Sequence, residues 1–356
     1  MAFKITSEQG KDRTGELRTS HGLIETPFFM PVATKAAMKH LSNKELDNTN
    51  AIIMNALLIS LKPGLDVIKH FKGVHKFMNW NKVIFTDSGG FQVLSKFFLD
   101  KTSDDGFYFK SPHNGKINLL TPERAIKIQN IIGSDVAMCL DDVPHHNSDS
   151  IIERVKRTHE WAERCKKVHE NKKQLLFGIT QGSIDKYLRI KSAKFINNLN
   201  FDGVALGGLC IGEEKKIMYK IVDISLKYLN VEKPRYLMGV GSPKDLIECV
   251  SHGIDIFDSC FPTRVARHGD LFLKEGKINI KKGRYIKDNK PIEKNCKCYV
   301  CKNFSRAYLN HLFKSDIPLG YRYASIHNIH FIQNLMNEIR KSIKKGYFND
   351  IKKEYS

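Results

Sequence analysis

Three runs of apolar residues are each followed directly by acidic residues. Asp87 follows Val83-Ile84-Phe85-Thr86, Asp141 and Asp142 follow Val136–Leu140, and Asp258 follows Ile254–Phe257. A carboxylate closing a buried apolar run is costly unless it is paired or put to use. The ordinary role of any one of them is to cap a following helix. Together, beside Gln181-Gly182 and Gly207-Gly208-Leu209, they make a candidate site. Two close carboxylates suit double displacement at a sugar C1′, where one attacks and the other gives and takes a proton. A third carboxylate and a glutamine can read the donor and acceptor edges of a flat heterocycle. Glycines let such a ring approach the backbone. The phosphate-binding pattern Gly-x-x-x-x-Gly-Lys-Ser/Thr is absent.

A second constellation is Cys296-Lys297-Cys298-Tyr299-Val300-Cys301, three thiols within six residues. With one histidine they form a closed tetrahedral zinc site, structural because no position is left for water. His311, His327 and His330 all lie within reach in sequence. His327 is favoured because it falls at the expected start of the last helix. Cys139, Cys165, Cys210 and Cys249 read as small apolar residues, and Cys260, two residues after Asp258, as a pocket residue.

The elements that must position these groups follow from the apolar pattern. Pro27–Val32, Ala51–Asn55, Val83–Thr86, Val136–Leu140, Leu175–Thr180, Gly203–Leu206, Tyr236–Val240 and Ile254–Phe257 are short and mostly continuous in apolarity. That is the signature of parallel strands covered on both faces. Amphipathic stretches such as Ile151–Glu170, Ile184–Leu199 and Lys215–Leu229 separate them. Thr121-Pro122 and Ser242-Pro243 read as helix starts. Eight strand–helix units predict an α/β protein with a (β/α)8 barrel, whose site lies at the C-terminal strand ends. A doubly wound open sheet is the alternative. The rhythm breaks at 274–302, where ten Lys or Arg meet only Glu275, Asp288 and Glu293. This predicts a β-ribbon insertion. Residues 1–270 with 328–356 then form the catalytic barrel, residues 271–327 the zinc-binding subdomain, and Asn328–Lys345 the last barrel helix.

Across 356 residues, 58 Lys and Arg against 38 Asp and Glu leave a formal net charge of +20. That balance points to a polyanionic partner, nucleic acid first. No apolar run approaches a membrane span, and the start Met1-Ala2-Phe3-Lys4-Ile5-Thr6 lacks an apolar signal region. Clustered thiols without a disulfide framework read as cytoplasmic and metal-binding.

Several motifs coincide over the whole length: Thr86-Asp87-Ser88-Gly89-Gly90-Phe91-Gln92, Gly178-Ile179-Thr180-Gln181-Gly182, Leu206-Gly207-Gly208-Leu209, Leu237-Met238-Gly239-Val240-Gly241, Asp255-Ile256-Phe257-Asp258, Pro262-Thr263-Arg264 and the cysteine cluster through His327-Asn328. In these the chain resembles the bacterial tRNA-guanine transglycosylases (queuine tRNA-ribosyltransferases). The resemblance implies a homodimeric (β/α)8 enzyme with a zinc subdomain. It would exchange the wobble guanine, position 34, of tRNAs with a GUN anticodon (the Asp, Asn, His and Tyr tRNAs) for a 7-deazaguanine precursor of queuosine. It implies Asp258 as nucleophile and Asp87 as general acid/base. Asp87, Phe91, Asp141, Gln181, Gly208, Leu209 and Met238 would hold the base, and Thr263, Arg264 and Arg267 the tRNA backbone. Cys296, Cys298, Cys301 and His327 would hold one structural zinc ion. Phe91 stands where bacterial members carry Tyr, Val143 where they carry Cys, and Ser259-Cys260-Phe261-Pro262 where they carry Cys-Val-Leu-Pro. Val143 matches eukaryotic relatives, which accept queuine. Ile211 stands where bacterial enzymes carry Val and eukaryotic ones Gly, and it narrows the room for queuine's ring. The bulkier Ile211 weighs more, which predicts the small base preQ1 as substrate.

Overall fold

The computed structural model describes residues 2–46, 48–90, 99–144 and 150–355. The chain begins with an antiparallel sheet of Phe3–Gln9 (β1), Asp12–Thr19 (β2) and Gly22–Thr26 (β3). Along β1, burial alternates, so one face is covered and the other wet. The apolar run analysis did not anticipate this sheet, because only every second residue needs to be apolar. Phe3, Leu17 and Ile24 of its inner face pack with Phe28, Phe85, Phe177 and Tyr236 inside the barrel.

Phe28–Pro31 (β4), Ala51–Asn55 (β5) and Val83–Asp87 (β6) are parallel. An excursion of Leu99–Thr102 (β7), Phe107–Lys110 (β8) and Ile117–Leu120 (β9) then forms a second small antiparallel sheet, also unforeseen. The parallel series resumes with Val136–Met138 (β10), Leu175–Thr180 (β11), Gly203–Leu206 (β12), Arg235–Leu237 (β13) and Ile256–Ser259 (β14). Spatial order is β4-β14-β13-β12-β11-β10-β6-β5, the chain order taken around a ring. A parallel bridge between Val32 and Ile53 joins the two ends. All eight expected strands are present, and the open doubly wound alternative falls because chain order and spatial order agree around the ring.

Helices follow most strands and cover the sheet. Thr121 and Ser242 cap theirs as the sequence implied, accepting from the Arg124 and Asp245 N–H groups. The expected ribbon is Asp270–Leu273 (β15) paired antiparallel with Gly276–Asn279 (β16). Here a separate core of Leu271, Ile280, Val300, Leu309 and Ile326 forms around the cysteines. The last helix is a correction: it runs Pro318–Lys345, ten residues earlier than expected. Pro318 is tolerated at its first turn. Its first half packs on the insertion and its second half on the barrel, so one helix serves two cores.

Buried polar groups anchor the floor of the barrel. The Arg13 guanidinium on β2 donates from Nε and Nη2 to Asp255 at 3.0 and 2.6 Å, and both residues are buried. Arg13 also holds the Val231 and Lys233 carbonyls, and Asp255 accepts the Arg235 N–H. Nearby, Asp135 accepts from the His21 and Ile84 backbone N–H groups and from both histidine rings, His21 and His75. Burial pushes its carboxyl up, but those bonds outweigh it and hold it low. The two imidazoles stack at 3.5 Å. These contacts clasp the N-terminal sheet to the barrel, and the ligand atoms of His21, His75 and Asp135 also lie close enough together to hold a metal ion.

Breaking a buried ion pair on one side strands the other charge, at a cost of about 3–5 kcal/mol. Arg13→Met should lower stability by that order in urea titration. Arg13→Met combined with Asp255→Leu should lose less, because no orphaned carboxylate remains.

Candidate active site and metal centre

The three carboxylates converge at the C-terminal rim. Asp258 on β14 has Oδ1 held by the Tyr236 hydroxyl at 2.6 Å and the Gly239 N–H at 3.0 Å. Among the described residues its Oδ2 has no hydrogen bond. Asp87 closes β6, and its Oδ1 accepts from Asn55 Nδ2 and the Gly89 N–H, both at 2.9 Å. Gly89 takes φ +88°, and a Cβ there would sit 2.3 Å from Leu57 Cβ, so only glycine can supply that N–H. Asp141 lies behind β10 and accepts from Gln181 Nε2 at 2.6 Å. Its neighbour Asp142 is turned away and locked by Arg154 and Arg157 at 2.8 and 2.5 Å. The acid pair thus divides into one site residue and one scaffold residue.

Crowding sets the protonation of this rim. Burial, with the Asp258 and Asp141 charges added and only the Gly89 bond opposing, pushes Asp87 up to about 8. Burial raises Asp141 to about 7, against the Gln181 bond and with the Asp142 charge adding. Burial raises Asp258 too, opposed by the Tyr236 and Gly239 bonds. Asp87, so tuned, carries a proton near neutral pH, as acid/base chemistry needs.

Gln181 is buried, and its Oε1 has no hydrogen-bond partner. Gly208, at φ +66°, lies against it, and a Cβ there would strike Oε1 at 2.3 Å. An unpaired buried acceptor beside bare backbone is a place for a flat ligand carrying a donor. Leu209 is buried and Met238 half-buried at neighbouring strand ends. Phe91 lies outside the described residues. Arg264 is exposed and Arg267 half-buried on the helix Phe261–Arg267, just beyond Asp258. Thr263 is buried and donates its hydroxyl to the Cys260 carbonyl, so it stands less open than the two arginines. Cys260 is exposed rather than enclosed.

Sequence reasoning passed over Asn55, Tyr236 and Arg189. Asn55 closes an apolar strand as the acids do, and that signal could have found it. Tyr236 reads as core, and Arg189 as the polar face of a helix. Nothing local marks either one.

The second cluster is compact. Among the described residues, the Cys296, Cys298 and Cys301 sulfurs and a His327 nitrogen lie within 4.8 Å of one another and could hold a metal ion. His327 Nδ1 is 3.8, 3.7 and 3.4 Å from the three sulfurs. Its Nε2 bonds the Phe272 carbonyl at 2.7 Å, which leaves Nδ1 for the ion. Three thiolates and an imidazole at these spacings fit a tetrahedral zinc ion. His327 lies inside the helix Pro318–Lys345 rather than at its start, so the reason for preferring it was wrong although it does join the cluster. His330 instead bonds Asn48 and Asn334.

The profile of the family described as queuine tRNA-ribosyltransferase matches residues 8–356. The queuine tRNA-ribosyltransferase of Dehalococcoides mccartyi (strain CBDB1) is 46% identical over 354 residues, covering 98% of this chain and 90% of that protein. That of Staphylococcus aureus (strain bovine RF122 / ET3-1) is 44% identical over 355 residues, covering 98% and 94%. That of Thermoanaerobacter pseudethanolicus is 45% identical over 348 residues, covering 96% and 93%.

Removing one of four ligands should empty the metal cluster. Elemental analysis should find about one metal ion per chain in the wild type and a small fraction of that in Cys298→Ala. The variant should also lose the cooperative unfolding of the insertion. Unchanged metal content in the variant would exclude Cys298 as a ligand.

Proposed function

The chain belongs to the queuine tRNA-ribosyltransferase family, and from that premise we propose that it is a tRNA-guanine transglycosylase of queuosine biosynthesis working by double displacement. The observation that carries this reading is the convergence of Asp258, Asp87 and Asp141 beside the unpaired Gln181 acceptor. Asp258 Oδ2 attacks C1′ of the wobble nucleotide as Tyr236 and Gly239 hold Oδ1. Asp87 keeps its proton near neutral pH and delivers it to the departing guanine. Asp141, Gln181, Gly208, Leu209 and Met238, with Phe91, form the base pocket. The incoming base gives its N9 proton to the Asp87 carboxylate and displaces Asp258 from C1′, so C1′ ends with its original configuration. One glycosidic bond replaces another, so no energy source is required. Water is unwelcome, because it would leave an abasic tRNA.

The substrate is a GUN-anticodon tRNA, and its wobble base must leave the stack to reach this rim. Arg264 and Arg267 face its phosphates, next to Lys281, which lies against Gly269. Among the described residues none of the three makes an ion pair, so all are available to an anionic backbone. The metal is zinc, which fastens the subdomain 271–327 to the barrel. The enzyme is a cytoplasmic homodimer. No described helix is long and apolar enough to cross a membrane.

The incoming base is preQ1. The Cys210 and Ile211 N–H groups both bond the Glu213 carboxylate, which stops Ile211 from swinging aside. Overpacking there disfavours queuine by about 1–3 kcal/mol, or roughly 5- to 150-fold.

Three outcomes test this. Asp258→Asn should form no covalent adduct with tRNA on denaturing gels, because an amide is a poor nucleophile; a normal adduct would reject Asp258. Asp87→Asn should slow exchange by about 10²–10⁴-fold with tRNA binding nearly intact. An acid at about 8 is protonated below that pH and loses its proton above it. Wild-type exchange should therefore fall as pH rises through about 8, and this limb should vanish in Asp87→Asn. In competition for labelled guanine in tRNA, preQ1 should beat queuine, and Ile211→Gly should narrow the gap. Equal use of both bases by the wild type would mean that Ile211 does not set the choice.

A further inference from the structure

One buried cation serves no carboxylate. Arg189, on the helix Lys186–Asn198, is fully enclosed. Its Nε donates to the Ser183 carbonyl at 2.6 Å and Nη1 to the Thr180 carbonyl at 3.3 Å. Nη2 donates to the Gly207 and Gly208 carbonyls at 2.8 and 3.3 Å. Among the described residues no acid lies within ion-pair distance of it. Burying a charge against carbonyls alone is expensive, and a pure brace could be built from an asparagine or glutamine. Burial lowers its pKa to about 9, with the more distant Glu213 charge opposing, so it remains a cation at neutral pH.

Its position gives that charge a use. The carbonyls it grips belong to the two strand-end turns that carry Gln181 and Gly208. The Gly207–Gly208 peptide accepts Nη2 at its oxygen. That peptide is trans, since the only cis bonds among the described residues are Thr26–Pro27 and Lys62–Pro63. Its N–H, the Gly208 amide, therefore points away from the guanidinium. Among the described residues that N–H has no acceptor, and the Gln181 Oε1 beside it has no donor. A cation bonded to one end of a peptide polarises the N–H at the other end.

We infer that Arg189 is a positioning residue for the leaving base: through the Gly207–Gly208 peptide it aims and strengthens the Gly208 N–H toward negative charge developing on the purine. This rests on the base-exchange reading above. As Asp258 Oδ2 bonds to C1′, the C1′–N9 bond breaks and its electron pair departs with the base. Asp87 supplies the proton that neutralises it. Until that proton arrives, the charge spreads over the ring, and a preorganised polarised donor stabilises it without reorganisation.

The test separates charge from scaffolding. tRNAs carrying guanine, 8-azaguanine or 7-deazaguanine at the exchanged position are made by chemical synthesis and ligation, and release of each base is timed. Nitrogen at position 8 makes N9–H more acidic, and carbon at position 7 makes it less so. Arg189→Met should slow release of the least acidic base most and the most acidic base least, widening the spread by about 10-fold over wild type. Arg189→Lys should recover much of the loss, with KM for tRNA nearly unchanged in both. Should the Met variant fail to fold, Arg189→Gln, which keeps donors without charge, takes its place in the same comparison. Equal slowing of all three bases, or a Lys variant no better than Met or Gln, would reduce Arg189 to a brace and overturn the inference. Wild-type enzyme that releases none of the three bases would instead remove the base-exchange reading, and this inference with it.

Discussion

Three carboxylates share one poorly solvated rim, and their mutual repulsion is the constraint that the surrounding structure answers. Asp87, Asp141 and Asp258 each lose hydration, and Asp87 feels both of the others. Left alone, such a set would relax by taking up protons or by moving apart. Each is held in place by groups that fix one oxygen and oppose the rise in pKa: Tyr236 and Gly239 for Asp258, Asn55 and Gly89 for Asp87, Gln181 for Asp141. The ties differ in strength and number, so the three acids need not titrate alike. Three residues of the same type thus meet three different surroundings, as the proposed division into an attacking and a proton-donating carboxylate would need.

The closed ring of strands makes this arrangement possible. Parallel strands in chain order bring every C-terminal end to one side, and the polar residue after each apolar run then faces its counterparts. The opposite end has no such task and is filled for stability. There the acid Asp255 is matched by an arginine, and Asp135 by two histidine rings. Asp255 and Asp258 stand three residues apart on one segment with opposite treatments: one has its charge fully matched, the other retains an unbonded oxygen. The insertion is joined to the barrel by a helix shared between two cores, and His327 sits in that helix beside Asn328. Asn328 bonds the Phe272 N–H and the Pro262 and Asp270 carbonyls. Metal cluster and active rim therefore meet through a few residues of one helix and one strand.

Legibility in the sequence followed the directness of the physical signal. Apolar runs of four to six residues marked the barrel strands because both faces are covered, and no neighbour can hide that. The acids behind those runs were conspicuous for the same reason. The alternating β1–β3 sheet and the β7–β9 excursion were invisible, since half of each strand is polar and short alternation is common in loops. Tyr236 and Arg189 escaped as well. The first looks like any buried aromatic and the second like any helical arginine until partners more than ten residues away are known.

By itself, then, the sequence determined the eight-fold strand rhythm, the acids at the strand ends, the three thiols and the basic excess, because burial, spacing and charge are local properties of residue type. Tertiary structure alone decided which of two adjacent aspartates enters the site, that His327 meets the thiols from within a continuous helix, and that an enclosed guanidinium lies behind the Gly207–Gly208 backbone. Those outcomes depend on distances between segments far apart in the chain, and such distances exist only once the ring has closed.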